Sequence, residues 1–427
     1  MEFKTICVLG LGYIGLPTAS TFASHGVKVT GVDVNQHVVE VLRNGEIHIH
    51  EPGLRKLVQA AFESGALRVS DRPEPADAFI IAVPTPITSE KRADMTYVIA
   101  ATESIVPYLR AGNLVMLEST SPPRTTVDLL APILERSGLK AGDDFFLAYS
   151  PERVLPGKIL QELIENARVI GGINHASAEA GRDLYSLFVR GEILLSDATT
   201  AEMVKLMENT FRDTNIALAN EFSRLGLHYG LDIWRAIEIA NLHPRVSILK
   251  PGPGVGGHCI SVDPWFLVEG APQLTPLIRQ AREVNDAQPG EIISLVEETL
   301  GNLKGNRVTT LGLSYKPDVD DLRESPAVEI VRALVEKGAE VSFFEPFVQD
   351  VEIEGARAAP SLEQALENSE GIILLVGHKV FRELDPAWVA GISKARVVVD
   401  ACGAWERQDW QDAGFRIEVL GVGKENG

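Results

Sequence analysis

Cys259 stands in Gly256-Gly257-His258-Cys259-Ile260-Ser261-Val262-Asp263, where flanking glycines let backbone and ligand approach a thiol closely. Such a thiol can act as a nucleophile, while the usual fate of a free cysteine is structural burial. The glycine loop and the nearby Asp263 favour the nucleophile. Cys7 lies inside an apolar run and Cys402 follows one, so both read as structural. Three cysteines this far apart suit neither a disulfide framework nor a zinc knuckle, and no metal is expected. Lys205 and Asn209 are four apart on a helical stretch and share one face, although a lone Lys there reads equally well as a solvated charge. Thr120, Glu152 and Lys316 each follow a strand-like run, where ligands collect in open α/β sheets. Singly, each could be an ordinary loop residue. His258 reads as a packing or hydrogen-bonding residue rather than a base.

A second constellation is nucleotide chemistry. Gly10-Leu11-Gly12-Tyr13-Ile14-Gly15 sits directly between a strand-like run and a helical one. The first glycine permits a tight turn, the second lets backbone approach a pyrophosphate, and the third lets helix and strand pack closely. The helix N-terminus adds unpaired N–H groups and a partial positive charge. Asp33 ends the next apolar run; a carboxylate there can accept both ribose hydroxyls and would repel the extra phosphate of NADP. NAD is the expected cofactor.

The elements that must hold these residues form three stretches. Residues 4–9, 27–32, 78–83, 114–117 and 145–148 are apolar strand runs alternating with helices, which predicts a parallel sheet covered on both faces. From Thr199-Thr200-Ala201-Glu202, read as a hydroxyl-capped start with an early acid, a helix runs to about Tyr229, followed by a second over 232–241. Pro251-Gly-Pro-Gly-Val-Gly-Gly257 must be a loop, and two more helices are expected over 276–286 and 291–300. Strand runs return at 307–311, 341–344, 371–376 and 396–400, with a helix at 326–337. The two ends match: Val-Leu-Gly-Leu-Gly-Tyr13 against Thr-Leu-Gly-Leu-Ser-Tyr315, and the acid Asp33 against Glu345. The expectation is an α/β protein with two doubly wound Rossmann-like domains joined by a central helical domain with one long helix. Its boundaries are 1–198 for the NAD-binding domain, 199–302 for the middle and 303–427 for the last domain, whose decayed glycines predict no dinucleotide there.

The 427 residues are 45% hydrophobic and carry a net charge of −19, which argues against nucleic acid as a partner but allows a small anion held by a few cations and helix N-termini. No apolar run is long enough for a membrane span, and the opening Met-Glu-Phe-Lys lacks a signal-peptide layout, so a cytoplasmic location is expected. Apolar positions on the long helix suggest a homodimer or higher homo-oligomer; an intramolecular spacer is the alternative.

Together these motifs resemble the nucleotide-sugar 6-dehydrogenases, the UDP-glucose/GDP-mannose dehydrogenase family. The resemblance covers essentially the whole chain and rests on the glycine turn, Val-Pro-Thr85-Pro, Glu-Ser-Thr120, Ser-Pro-Glu152, the Lys205/Asn209 helix, Gly-Gly-His-Cys259 with Asp263, and Ser-Tyr-Lys316-Pro-Asp with Leu-Arg323-Glu-Ser. His-Pro-Arg245-Val and the stretch from Pro251 to Phe266 most resemble the members that act on UDP-N-acetyl-D-mannosamine; UDP-N-acetyl-D-glucosamine and UDP-glucose are the alternatives, and a non-catalytic nucleotide-sugar-binding protein is a further one. The resemblance implies oxidation of a sugar C6 hydroxyl to a carboxylate with two NAD consumed. It gives Cys259 the thiohemiacetal and thioester, Glu152, Asp263 and Thr120 the hydrolytic water, and Lys205 and Asn209 the oxyanions. It also implies NAD contacts from Gly10, Gly12, Tyr13, Ile14, Gly15, Asp33, Thr85, Thr120 and Arg323. UDP-sugar contacts are implied for Glu152, Arg153, Val154, Lys205, Asn209, Gly256, Gly257 and Lys316, with Arg245 reaching in from a second subunit.

Overall fold

Short apolar runs become the strands of two sheets in the computed structural model, which describes residues 2–49 and 51–423. The first sheet holds β1 (Thr5–Leu9), β2 (Lys28–Val32), β3 (Leu67–Ser70), β4 (Ala78–Ile81), β5 (Leu114–Leu117), β6 (Phe146–Tyr149), β7 (Arg168–Gly172) and β8 (Ile193–Asp197), in the order β3-β2-β1-β4-β5-β6-β7-β8. Its first six strands in space follow the dinucleotide-binding order of a doubly wound sheet. All neighbours are parallel except β6 and β7, which run antiparallel through Ala148↔Gly172 and Tyr149↔Gly171. The second sheet holds β9 (Arg307–Leu311), β10 (Glu340–Phe344), β11 (Ala356–Ala358), β12 (Gly371–Leu374), β13 (Val397–Asp400) and β14 (Arg416–Val419), in the order β11-β10-β9-β12-β13-β14 and parallel throughout.

The central strands are continuous apolar runs because both faces are covered. Leu16 and Phe22 of the helix Gly15–Ser24 pack on one face of the first sheet, with Ile6, Val8 and Ile80. Val98, Ile105 and Leu130 pack on the other, with Phe79, Ile81 and Val115. The second sheet is covered in the same way by Ile292, Val296, Ile330 and Leu334 on one face, and by Leu366, Phe381 and Trp410 on the other.

The helical middle departs from expectation in two places. The long helix spans Ala198–Tyr229, and its start is capped by Asp197, which accepts from Thr200 N–H at 2.9 Å and Thr200 Oγ1 at 2.6 Å. The helix thus starts one residue before the expected Thr199, and its cap is the Asp197 carboxylate rather than a threonine hydroxyl. Glu202 is buried and instead accepts from the backbone of Arg124 and Thr126. Second, 276–286 and 291–300 are one continuous helix, Pro276–Leu300, with Pro289 inside it. Proline removes a hydrogen bond there. Burial on both sides of it outweighs that loss: Ala281 and Val284 pack against Ala217, while Ile292 and Val296 join the core of the second sheet.

By internal contacts the chain forms two units, Met1–Glu208 with Trp265–Pro272, and Asn209–Pro264 with Gln273–Gly427. The long helix thus crosses from one unit to the other between Glu208 and Asn209.

Candidate active site

In the first unit the glycine turn is shaped by contact. Gly10 has φ +89°, and a Cβ on Gly15 would lie 1.7 Å from the carbonyl oxygen of Gly10. Gly12 differs, since a Cβ there would meet nothing within 4 Å. The turn therefore needs Gly10 and Gly15 for its own geometry, while the space above Gly12 fits the close backbone approach of a pyrophosphate. Asp33, just past β2, is half-buried and holds the turn, accepting from Leu11 N–H at 2.9 Å and from Asn35 N–H at 2.9 Å. Tyr13 and Ile14 are half-buried beside it, and Thr85 is buried beyond β4. These residues fit an NAD molecule, with Asp33 available to its ribose.

The corresponding turn of the second unit is closed from within. Ser314 stands where Gly12 does, and the Glu345 carboxylate accepts from Leu313 N–H at 2.7 Å and Ser314 N–H at 3.0 Å, with His378 Nε2 at 3.2 Å. Burial opposes the Glu345 charge, but His378 and the N–H groups of Leu313 and Phe347 outweigh it and hold its pKa below the usual carboxylate value. The Leu313 and Ser314 amides are thereby taken by Glu345 rather than left for a pyrophosphate. Beside the turn lies a cavity of about 350 Å³ lined by the loop Lys250–Gly254, by Tyr315 and Lys316, and by Arg382 and Cys402. Three cations around one cavity suit a diphosphate. Lys250 and Arg382 were not singled out by the sequence, because only the fold carries them to Lys316.

The cysteine loop belongs to the same unit. Gly257, at φ +82°, packs so closely on Tyr315 that a Cβ would lie 2.7 Å from its ring, and its N–H donates to the Arg323 carbonyl at 3.0 Å. Gly256 is as tightly held, with a Cβ position 2.4 Å from the Glu324 carbonyl. The Arg323 guanidinium pairs with Asp321 at 2.7 Å, and it is the Arg323 backbone carbonyl that meets the cysteine loop. Cys259 is exposed, and its carbonyl accepts from Asp263 N–H at 2.8 Å at the entry to the helix Asp263–Gly270. The Asp263 carboxylate, 2% exposed, accepts a hydrogen bond from the Asn209 amide. The other thiols are poor nucleophiles: burial pushes Cys7 up to about 12, and burial with Asp400 pushes Cys402 up as well. Arg245 is exposed on the connection after the helix Ile233–Ala240.

Lys205 and Glu152 meet in the first unit, where Lys205 Nζ donates to the Glu152 carbonyl at 2.8 Å. The Glu152 carboxylate accepts from Arg153 N–H at 2.7 Å and from Arg168 Nη2 at 2.7 Å. Arg153 pairs with Glu208 at 2.7 Å; Val154 and Thr120 are half-buried nearby in sequence to their strands. Sequence reasoning missed Arg168, Glu118 and Tyr185, which are all buried and clustered around Glu152. Among the described residues, no group of three or more His, Cys, Asp or Glu side chains could hold a metal ion. No described helix is long and apolar enough to cross a membrane.

Three models of the UDP-glucose/GDP-mannose dehydrogenase family match in order: its NAD binding domain over residues 4–189, its central domain over 199–287 and its UDP binding domain over 309–407. A Ralstonia solanacearum protein named NDP-N-acetyl-D-galactosaminuronic acid dehydrogenase is 48% identical, covering 95% of this chain and 97% of its own. A UDP-N-acetyl-D-mannosamine dehydrogenase of Methanococcus maripaludis is 46% identical, covering 99% and 98%. Among solved structures, a UDP-D-ManNAc dehydrogenase from Pyrococcus horikoshii is similar with a TM-score of 0.92 and 39% identity over 98% of this chain and 99% of that one.

Proposed function

The chain belongs to the UDP-glucose/GDP-mannose dehydrogenase family, and from that premise we propose that it oxidises the C6 hydroxyl of UDP-N-acetyl-D-mannosamine to the carboxylate. It is an NAD-dependent dehydrogenase that takes a UDP-sugar. The choice of N-acetylmannosamine is supported by several relatives of that name at 44–46% identity over nearly the whole chain. The relative at 48% identity, named for an N-acetylgalactosaminuronic acid, supports UDP-N-acetyl-D-galactosamine as the second reading.

The observation that carries the four-electron chemistry is Cys259, the one exposed thiol of three, beside the Asp263–Asn209 pair. Bound NAD supplies a hydride acceptor, and two equivalents are used in turn for each sugar. Between the two oxidations the Cys259 thiolate adds to the aldehyde carbon, forming a C–S bond, and the thiohemiacetal keeps the intermediate attached. Its oxidation leaves a thioester. Water then attacks the carbonyl carbon, the C–S bond breaks, and the thiolate departs as the acid is released. Glu152 and Asp263 are the carboxylates that orient and deprotonate this water, with Thr120 as a hydrogen-bonding partner. The Lys205 ammonium stabilises the oxyanions, and Asn209 donates a further hydrogen bond. The cations of the second unit, Lys316 above all, hold the diphosphate.

We divide the chain by task at 198 and 302, into an NAD-binding domain, a helical middle with the cysteine loop, and a UDP-sugar domain. Met207, Phe211, Leu218 and Leu225 form an exposed apolar stripe along the long helix, at 56%, 65%, 42% and 45% exposure. A second copy of the chain covers this stripe in our reading, making a homodimer in which Arg245 serves the neighbouring site. The cytoplasm, where NAD and UDP-sugars are available together, is the expected location. A panel of UDP-sugars followed by NADH absorbance tests the substrate. Preference for UDP-N-acetyl-D-mannosamine is the predicted result; preference for the galactosamine or glucosamine epimer overturns it.

A further inference from the structure

The reversal of β7 has a chemical consequence. In a parallel sheet each strand begins at the edge away from the ligand, and ligands bind beyond the carboxyl ends. β7 runs antiparallel to β6, so its first residue, Arg168, is delivered beyond the carboxyl end of β6, over the segment Ser150–Glu152. Arg168 is 4% exposed. Its Nη2 donates to Glu152 Oε2 at 2.7 Å, and its Nη1 to Ser150 Oγ at 3.1 Å and Glu118 Oε1 at 3.3 Å. Its guanidinium carbon lies 4.2 Å from the centroid of the Tyr185 ring, and Tyr185 donates its hydroxyl to the same Glu118 oxygen. A planar guanidinium held on one face by an aromatic ring and along its edge by three oxygens has little freedom to turn.

We propose that Arg168 is the positioning residue of the reaction, fixing the Glu152 carboxylate directly and the Lys205 ammonium through the Glu152 carbonyl, with Glu118 as its second counter-charge. The proposal rests on the reading of Glu152 and Lys205 given above. Two carboxylates share one guanidinium, so the cluster changes charge when Glu118 titrates. Burial raises Glu118 to about 7, against the opposing pull of Arg168 and with a further push from Glu152. The groups facing it are Arg168 from β7, Glu152 from the segment after β6 and Tyr185 from the helix His175–Tyr185. Above that pH Glu118 competes with Glu152 for Arg168, and below it Arg168 serves Glu152 alone. A purely structural ion pair would hold the β6–β7 edge together without this effect on the chemistry.

The test uses the full-length enzyme with NAD and UDP-N-acetyl-D-mannosamine, or whichever UDP-sugar the panel selects, and measures kcat, KM and single-turnover thioester hydrolysis. R168K is expected to lower the hydrolysis rate by about 100-fold, the scale of a misplaced catalytic group, with KM for the UDP-sugar within about threefold. E118Q keeps the shape and an acceptor for Tyr185, and is expected to remove an ionisation near neutral pH from the rate profile of hydrolysis. R168K hydrolysing within about threefold of the parent overturns the proposal. If R168K does not fold, E118Q decides: loss of the ionisation supports the proposal, and an unchanged profile overturns it. E152Q is run alongside. Parental hydrolysis by E152Q defeats the reading of Glu152 itself, whereas slow E152Q with normal R168K defeats only the positioning role.

Discussion

Three thiols share this chain, and their surroundings sort them. Cys7 is sealed in β1 and Cys402 is pushed up by burial, which leaves Cys259, exposed, as the thiol we propose for the nucleophile. Replacing it, as in C259A, is expected to lower acid formation by at least about a thousandfold, as the loss of a covalent nucleophile does; full oxidation by that variant, read by product mass, would defeat the thioester route. We propose that Asp33 carries the choice of NAD over NADP. D33N removes a charged acceptor, so KM for NAD should rise at least about tenfold, the worth of one hydrogen bond to a charged group, and use of NADP should improve. Unchanged NAD/NADP preference would contradict it. Glu202 gives a pH signature of stability rather than activity. Burial lifts it from 4.5 to about 7 despite three hydrogen bonds from Thr126 and Arg124. Its folded pKa is above its unfolded one, so its contribution is fully present below 4.5 and is lost as pH rises through about 7. Denaturant midpoints of E202Q should therefore fall less than those of the parent over that window, and parallel curves would count against this account.

At the level of elements, local signals were legible and non-local ones were not. The turn Gly10–Gly15 could be read because its requirements are carried by adjacent residues, and the structure confirms the tight fit at Gly15. G15A should accordingly destabilise the first unit by about 3 kcal/mol or more, the upper range for forcing atoms into a packed site, seen as a lower melting temperature; a parental melting temperature would show that the turn can relax. The cap of the long helix differs from the expected threonine because it is Asp197, the last residue of β8, so the strand runs straight into the helix with no loop to mark the boundary. The strand β7 was missed as well: Arg168-Val-Ile-Gly171-Gly172 holds a charge and two glycines, which suit its antiparallel place but not a sequence pattern. Pro289 broke a helix on paper that packing on both sides keeps whole. The site residues followed the same rule. Cys259, Lys205 and Asp263 stand in short motifs, whereas Arg168, Lys250 and Arg382 acquire meaning only once strands and loops are in place.

For the whole molecule, two sheets that share one six-strand order divide the work: an open glycine turn in the first, and a turn closed by Glu345 beside a cation-lined cavity in the second. The exposed stripe on the long helix predicts an assembly, and F211R with M207E should shift light-scattering mass from dimer to monomer; an unchanged dimer would place the interface elsewhere. In our reading, one nucleophilic cysteine makes a hydride-transfer fold carry out two successive oxidations on one sugar. The direct measurement is the ratio of NADH formed to UDP-sugar consumed, with the product identified by mass. Two NADH per sugar and a uronate as the sole product are expected; a ratio of one with free aldehyde accumulating defeats the two-step oxidation on Cys259.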